Sequence, residues 1–149
     1  MKMGQKNSKT FRPLALMLYL SALTACGDIL PTVPGTFSDV YKNTLSGTCL
    51  GCHDGTDPQK SNLDFSTQAT AYATLVGTTV TGDQSSAACG SQTLVSASSP
   101  DTSYMLATLF DDYRTAFTAC DAYVHETVSI TDSQKSSMVD WITNGAAND

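Results

Sequence analysis

Thr48-Cys49-Leu50-Gly51-Cys52-His53 is the stretch on which the reading of this chain turns. Two cysteines separated by two residues, with a histidine directly after the second, make C-x-x-C-H, the attachment spacing of c-type haem. The chemistry accounts for the spacing. Each thiol adds across one vinyl group to form a thioether, and two intervening residues let both sulfurs reach one porphyrin edge. The adjacent histidine then lies under the ring, where it can bind iron from the proximal side. Gly51 leaves room for backbone beside the macrocycle. Two other uses of the motif compete. A redox C-x-x-C belongs at a strand-to-helix junction of a βαβ unit, and no such pattern is visible. A structural zinc site needs four ligands, which Cys120 and His125 could complete.

Outward from the motif, the chain is organised as short helices. Thr36-Phe37-Ser38-Asp39 opens an amphipathic segment with Phe37, Val40, Tyr41 and Leu45 at helical spacing, leading into the cysteines. Thr36 and Asp39 form a capping pair at its start. Gly55 to Asn62 is polar and turn-rich, and Leu63 and Phe65 after it are core candidates. Ser66 is placed to cap a second helix through Val76, with Tyr72, Leu75 and Val76 inward and Gly77 as its stop. Residues 77–88 read as polar loop, and Leu94-Val95 as a short buried pair. Pro100-Asp101 opens a third helix to about Phe110, carrying Tyr104, Met105, Leu106 and Leu109. Residues 111–129 read as irregular. Thr131-x-x-Gln134 is a capping box that starts a last helix with Met138, Val139, Trp141 and Ile142, which Gly145 ends. The expected fold is all-α: about four short helices wrapped around one covalently attached haem, with long loops and no sheet.

The 149 residues suit one domain, and the charges divide them. Lys2, Lys6, Lys9 and Arg12 precede the apolar run Leu14–Leu20, as in a secretory signal. The run is too short for a comfortable membrane-spanning helix, which needs about 20 apolar residues. It ends in Leu23-Thr24-Ala25-Cys26, which resembles a bacterial lipobox, with Cys26 the lipidated new N-terminus. The competing reading is an ordinary cleaved signal. Residues 1–25 are thus expected to be the signal, 26–35 a flexible tether and 36–149 the domain. Gly27 after the cysteine, in place of a retention-favouring aspartate, favours the outer membrane. Without the leader the chain keeps 4 basic and 14 acidic residues, a formal charge of −10. That excludes nucleic acid as a partner, because the phosphate backbone demands cationic contacts.

Taken together, these stretches resemble the small monohaem c-type cytochromes of secreted bacterial lipoproteins. The resemblance covers about residues 36–146. It runs through the approach helix, Cys49-x-x-Cys52-His53, Leu63-Asp64-Phe65-Ser66, Ala71–Gly77, Cys89-Gly90, Pro100-x-x-Ser103-Tyr104-Met105-Leu106, Cys120 and Ile130–Ala146. It implies one haem c held by Cys49 and Cys52, with His53 as proximal iron ligand. It also implies an electron-transfer role rather than an enzyme, on the periplasmic side of a membrane or at the cell surface. The acidic domain would favour redox partner proteins with a basic docking surface, and the membrane would be met through the lipid anchor alone.

One segment departs from that group, which usually carries C-G-x-x-M-P with its Met as distal ligand. Here Cys120-Asp121-Ala122-Tyr123-Val124-His125 puts Val124 at the methionine position, and valine cannot coordinate iron. His125, the only histidine besides His53, is the leading distal candidate. Met105 and Met138 are the thioether candidates, although each sits among apolar neighbours as core methionines do. An open sixth position would instead make the protein a small-ligand sensor or a weak peroxidase. Cys89 and Cys120 remain as an even pair in an oxidising compartment. As a disulfide they would close a loop of about 30 residues, worth roughly 3–4 kcal/mol; the alternative is two free buried thiols.

Overall fold

Thr36 starts the first helix as its composition suggests. Its hydroxyl accepts the Asp39 amide at 3.2 Å and donates to the Asp39 carboxylate at 2.6 Å. The chain is described from a computed structural model, over residues 35–56, 63–80, 89–118, 122–125 and 128–149. All of these lie in the unit Thr32–Asp149. The signal (1–25), most of the tether, Cys26 and Cys120 lie outside the described residues.

Half of the described residues are helical, and the domain is a small, mostly helical one. Helix α1 (Phe37–Val40) runs on without a break into a π-helix at Tyr41–Cys49. Then come α2 (Gln68–Leu75), β1 (Thr79–Val80), β2 (Gln92–Thr93), a 3₁₀ turn at Pro100–Thr102, α3 (Tyr104–Leu109), α4 (Asp111–Arg114), a second 3₁₀ turn at Thr115–Phe117, and α5 (Asp132–Thr143). There are thus five α-helices among the described residues where four were expected.

The core is organised around Phe37, which is wholly buried. Its ring lies 4.9 Å from Trp141 on α5, 5.2 Å edge-on from Tyr72 on α2, and 6.5 Å from Tyr41. The polar ends of these rings are satisfied on neighbouring backbone, as buried Tyr and Trp require. Trp141 Nε1 donates to the Ala147 carbonyl, Tyr72 to Ala146 and Tyr41 to Phe65. Asp149 closes the same end. Its carboxylate accepts the Phe37 and Ser38 amides, at 2.7 and 3.2 Å, and the Ser38 hydroxyl at 2.8 Å. The Ser38 hydroxyl, ahead of those amides, holds its pKa below the usual carboxylate range. This stabilisation is present above the ordinary carboxylate pKa and is lost as pH falls through the lowered one.

At α5 the expectation and the structure coincide. The Thr131 amide donates to Gln134 Oε1 and the Gln134 amide to Thr131 Oγ1. Gln134 also donates to the Asn43 carbonyl, which ties α5 to the π-helix. Met138, Trp141 and Ile142 are buried, and Gly145 stops the helix at φ +99°. Gly77 ends α2 in the same way, at φ +72°.

Four expectations are corrected. Helix α2 is capped by Thr67, in a capping box with Thr70, and not by Ser66. Ser66 is diverted because its amide donates to the Asp64 carboxylate at 2.8 Å in a local turn. The helix expected from Pro100 is broken at Ser103. That residue's buried hydroxyl accepts the Ser96 amide and donates to the Ser99 carbonyl, which holds a turn in place of a helix start. Within the stretch read as irregular, Asp111–Phe117 is helical. There Lys135 of α5 pairs with Asp112 at 2.7 Å and lies 5.0 Å over the Phe110 ring. Finally, β1 and β2 pair antiparallel, Thr79 with Thr93 and Val80 with Gln92, where no sheet was expected.

Removing the central ring tests this arrangement. Phe37→Ala should destabilise the domain by about 3–5 kcal/mol in denaturant unfolding. A loss below about 1 kcal/mol would mean that the ring is not central to the core.

Candidate functional site

The C-x-x-C-H motif forms the end of the first helix. Cys49 is the last residue of the π-helix, whose hydrogen bonds span five residues, as in Leu50 N–H to the Leu45 carbonyl at 2.9 Å. Beyond Cys49 the backbone makes one more turn, with the Cys52 and His53 amides both donating to the Cys49 carbonyl at 3.1 and 3.0 Å. Residues three and four apart on such a turn share a side. Cys49, Cys52 and His53 are therefore presented together. Both thiols are free, Cys49 half-buried and Cys52 exposed.

A second strand of chain supports the histidine. The Phe65 amide donates to the His53 carbonyl at 2.8 Å, and Asp54 and Asp64 form a bridge beside it. The buried Phe65 ring lies 5.3 Å from the imidazole. The core anchor read at Phe65 thus backs His53 directly.

His125 reaches the same place from the far end of the chain. The imidazoles of His53 and His125 lie 6.1 Å apart between centroids, with planes at 77°. Segment 122–125 is laid along α3, where the His125 amide donates to the Thr108 carbonyl at 3.0 Å and the Tyr123 amide to the Tyr104 hydroxyl at 3.2 Å. The Tyr123 ring stands edge-to-face on His125 at 5.0 Å. Burial, and next the neighbouring His53, lower the His125 pKa and so favour the neutral, metal-binding imidazole. Met138 is sealed in the core, and Met105 is buried on α3.

The donor set can be compared with each competing use. Two metal–imidazole bonds of about 2 Å, with about 1.1 Å from each nitrogen to its ring centre, separate the centroids by roughly 6 Å. The 6.1 Å spacing is compatible with one metal ion in line between two imidazole nitrogens, and equally with an edge-on contact of the two rings. A haem iron asks the protein for only two axial donors, because the porphyrin fills the other positions. A structural zinc asks for four. No three His, Cys, Asp or Glu side chains converge on a metal position among the described residues; Cys120 lies outside them. Dithiol redox chemistry needs a depressed thiol pKa, commonly at a helix N-terminus. Cys49 sits at the opposite, negative end of its helix. Burial, and then the adjacent Cys52, push its pKa up to about 11.

Cys89 is buried and disulfide-bonded. Cys49 and Cys52 are free, so its partner is neither of them; the expected partner, Cys120, lies outside the described residues. Tyr104 and Tyr123 were missed as site residues. Tyr104 reads as a core position at helical spacing, and only the Tyr123-x-His125 spacing hints at a shared face along extended chain.

No protein-family model, curated protein or solved structure matches the chain. No helix among the described residues is long and apolar enough to cross a membrane.

The thiol environment gives a direct check. At pH 7 a thiol of pKa 11 is ionised to roughly one part in ten thousand. In the haem-free protein, Cys49 should be alkylated far more slowly than the exposed Cys52, as read by peptide mass. Preferential labelling of Cys49 would contradict the buried, helix-C-terminal environment described here.

Proposed function

We propose that this chain is a monohaem c-type cytochrome that carries electrons singly, tethered to a membrane through a lipidated Cys26. Cys49 and Cys52 would each add S–H across a vinyl group, with no atom lost, and hold one haem c through two thioethers. His53 and His125 would supply its iron ligands. The haem supplies the one-electron chemistry; the protein's part is to hold it, exclude other ligands and set its potential. The observation that carries this reading is the approach of the chain's only two histidines to 6.1 Å, one of them inside C-x-x-C-H.

Phe65 packs against His53, which would steady the proximal imidazole beside the turn that would carry the thioethers. The Thr108 carbonyl and the Tyr104 hydroxyl fix the backbone on either side of Val124, which leaves His125 to face inward. An open sixth position, as a small-ligand sensor or weak peroxidase needs, is disfavoured by His125 standing opposite His53. Two imidazoles stabilise ferrous iron less than an imidazole with a thioether, so the potential would be lower than that of a His/Met carrier.

The signal-like leader and Cys26 would put the proposed carrier on the exported side of a bacterial membrane, with Gly27 favouring the outer membrane. Its partners would be redox proteins with a basic surface, since the domain is strongly acidic. The membrane would be met through the anchor alone, and a disulfide between Cys89 and Cys120 would staple the loops.

Absorption spectra of the oxidised and reduced protein test the ligand set. The wild type should be low-spin and slow to bind CO. His125→Ala should become high-spin and bind CO at once. Low-spin spectra unchanged in His125→Ala would overturn distal ligation by His125.

A further inference from the structure

We propose that Tyr123 is a positioning residue that holds the His125 imidazole crosswise to that of His53. The proposal rests on the haem reading above and concerns the orientation of the distal ligand, which that reading leaves open.

The backbone around His125 is fixed from one face of α3. Tyr104 and Thr108 are four residues apart on that helix and therefore neighbours on its surface. The Tyr104 hydroxyl takes the Tyr123 amide, and the Thr108 carbonyl takes the His125 amide. The latter is one of the carbonyls that a helix leaves without an internal partner in its last turn. With both amides held, the imidazole keeps only rotation about its own side-chain bonds. The outer of these is broad for histidine, and it sets the ring plane. Tyr123 limits that rotation: its ring meets the imidazole at 5.0 Å with planes at 89°. The result is a 77° angle between the two imidazole planes.

Burial offers no other reason for Tyr123 to be aromatic. At 56% exposure it is one of the two large hydrophobic side chains left exposed among the described residues. Among the described residues, the aromatic contact of the Tyr123 ring is with His125.

The angle matters because each axial imidazole interacts with the iron d orbitals perpendicular to its plane. Parallel planes act on the same orbital and split the pair. Crossed planes act on both and leave them nearly degenerate. In ferric low-spin haem the first case gives three well-separated paramagnetic resonance lines. The second gives one dominant low-field feature.

Low-temperature paramagnetic resonance of the oxidised holoprotein is the test, on the wild type, Tyr123→Phe, Tyr123→Ala and His125→Ala. The wild type and Tyr123→Phe, which keeps the ring, should show the single low-field feature. Tyr123→Ala should convert it to three lines, with an unchanged melting temperature because the residue is exposed. A three-line wild type, or a Tyr123→Ala spectrum identical to the wild type, would overturn the role of Tyr123. A low-spin signal that survives His125→Ala would instead overturn the ligation on which the proposal rests, and the two failures are told apart by which variant is silent.

Discussion

The contact on which the rest of the domain depends is the packing of Phe37 against Trp141 and Tyr72. It joins side chains 35 and 104 positions apart in sequence and brings the two ends of the domain together. Helix α1 and its π continuation lead into the cysteine turn, so whatever fixes Phe37 fixes the direction in which Cys49, Cys52 and His53 are delivered. The carboxylate of Asp149 at the amides of Phe37 and Ser38, and Gln134 at the carbonyl of Asn43, hold the same helix from its start and its flank. The motif thus stands at the end of a braced rod and not in a free loop.

The opposite wall is built differently. His125 belongs to no helix; it is carried by a short segment whose amides donate to α3, one to the Thr108 carbonyl and one to the Tyr104 hydroxyl. Phe117 packs edge-on against Tyr104 at 5.4 Å and steadies the ring whose hydroxyl holds Tyr123. One histidine is therefore set by the chain that contains it and the other by a helix it merely lies against. Under the haem reading proposed above, the turn that would carry the thioethers is ordered by its own helix, and the second histidine by its contacts with α3.

Much of this was legible in residues and spacing. The Thr131–Gln134 box, the Thr36 cap, the glycine stops at 77 and 145, and the inward faces of the first and last helices are local signals, and local signals survive folding. What could not be read was decided by competition or by tertiary contact. Asp64 takes the amide of Ser66, and Thr67 caps in its place; Ser103 turns the chain with a buried hydroxyl; Asp111–Phe117 has no apolar period and is held by Lys135 and Tyr104. The π winding leaves no trace in spacing, because Phe37, Val40, Tyr41 and Leu45 suit an α-helix equally well. At the site, C-x-x-C-H announces itself, whereas the meeting of His125 with His53 depends on a carbonyl and a hydroxyl of α3 that no pattern in the sequence marks.

The proposed carrier stands or falls with a haem held covalently at Cys49 and Cys52. Intact mass under denaturing conditions addresses it most directly, on the full chain produced in a bacterium that exports it and matures c-type haem. The mass should be raised by one haem, in a form that withstands denaturation and disappears in the Cys49→Ser, Cys52→Ser double variant. A mass without haem, with both thiols of the motif open to alkylation, would contradict it.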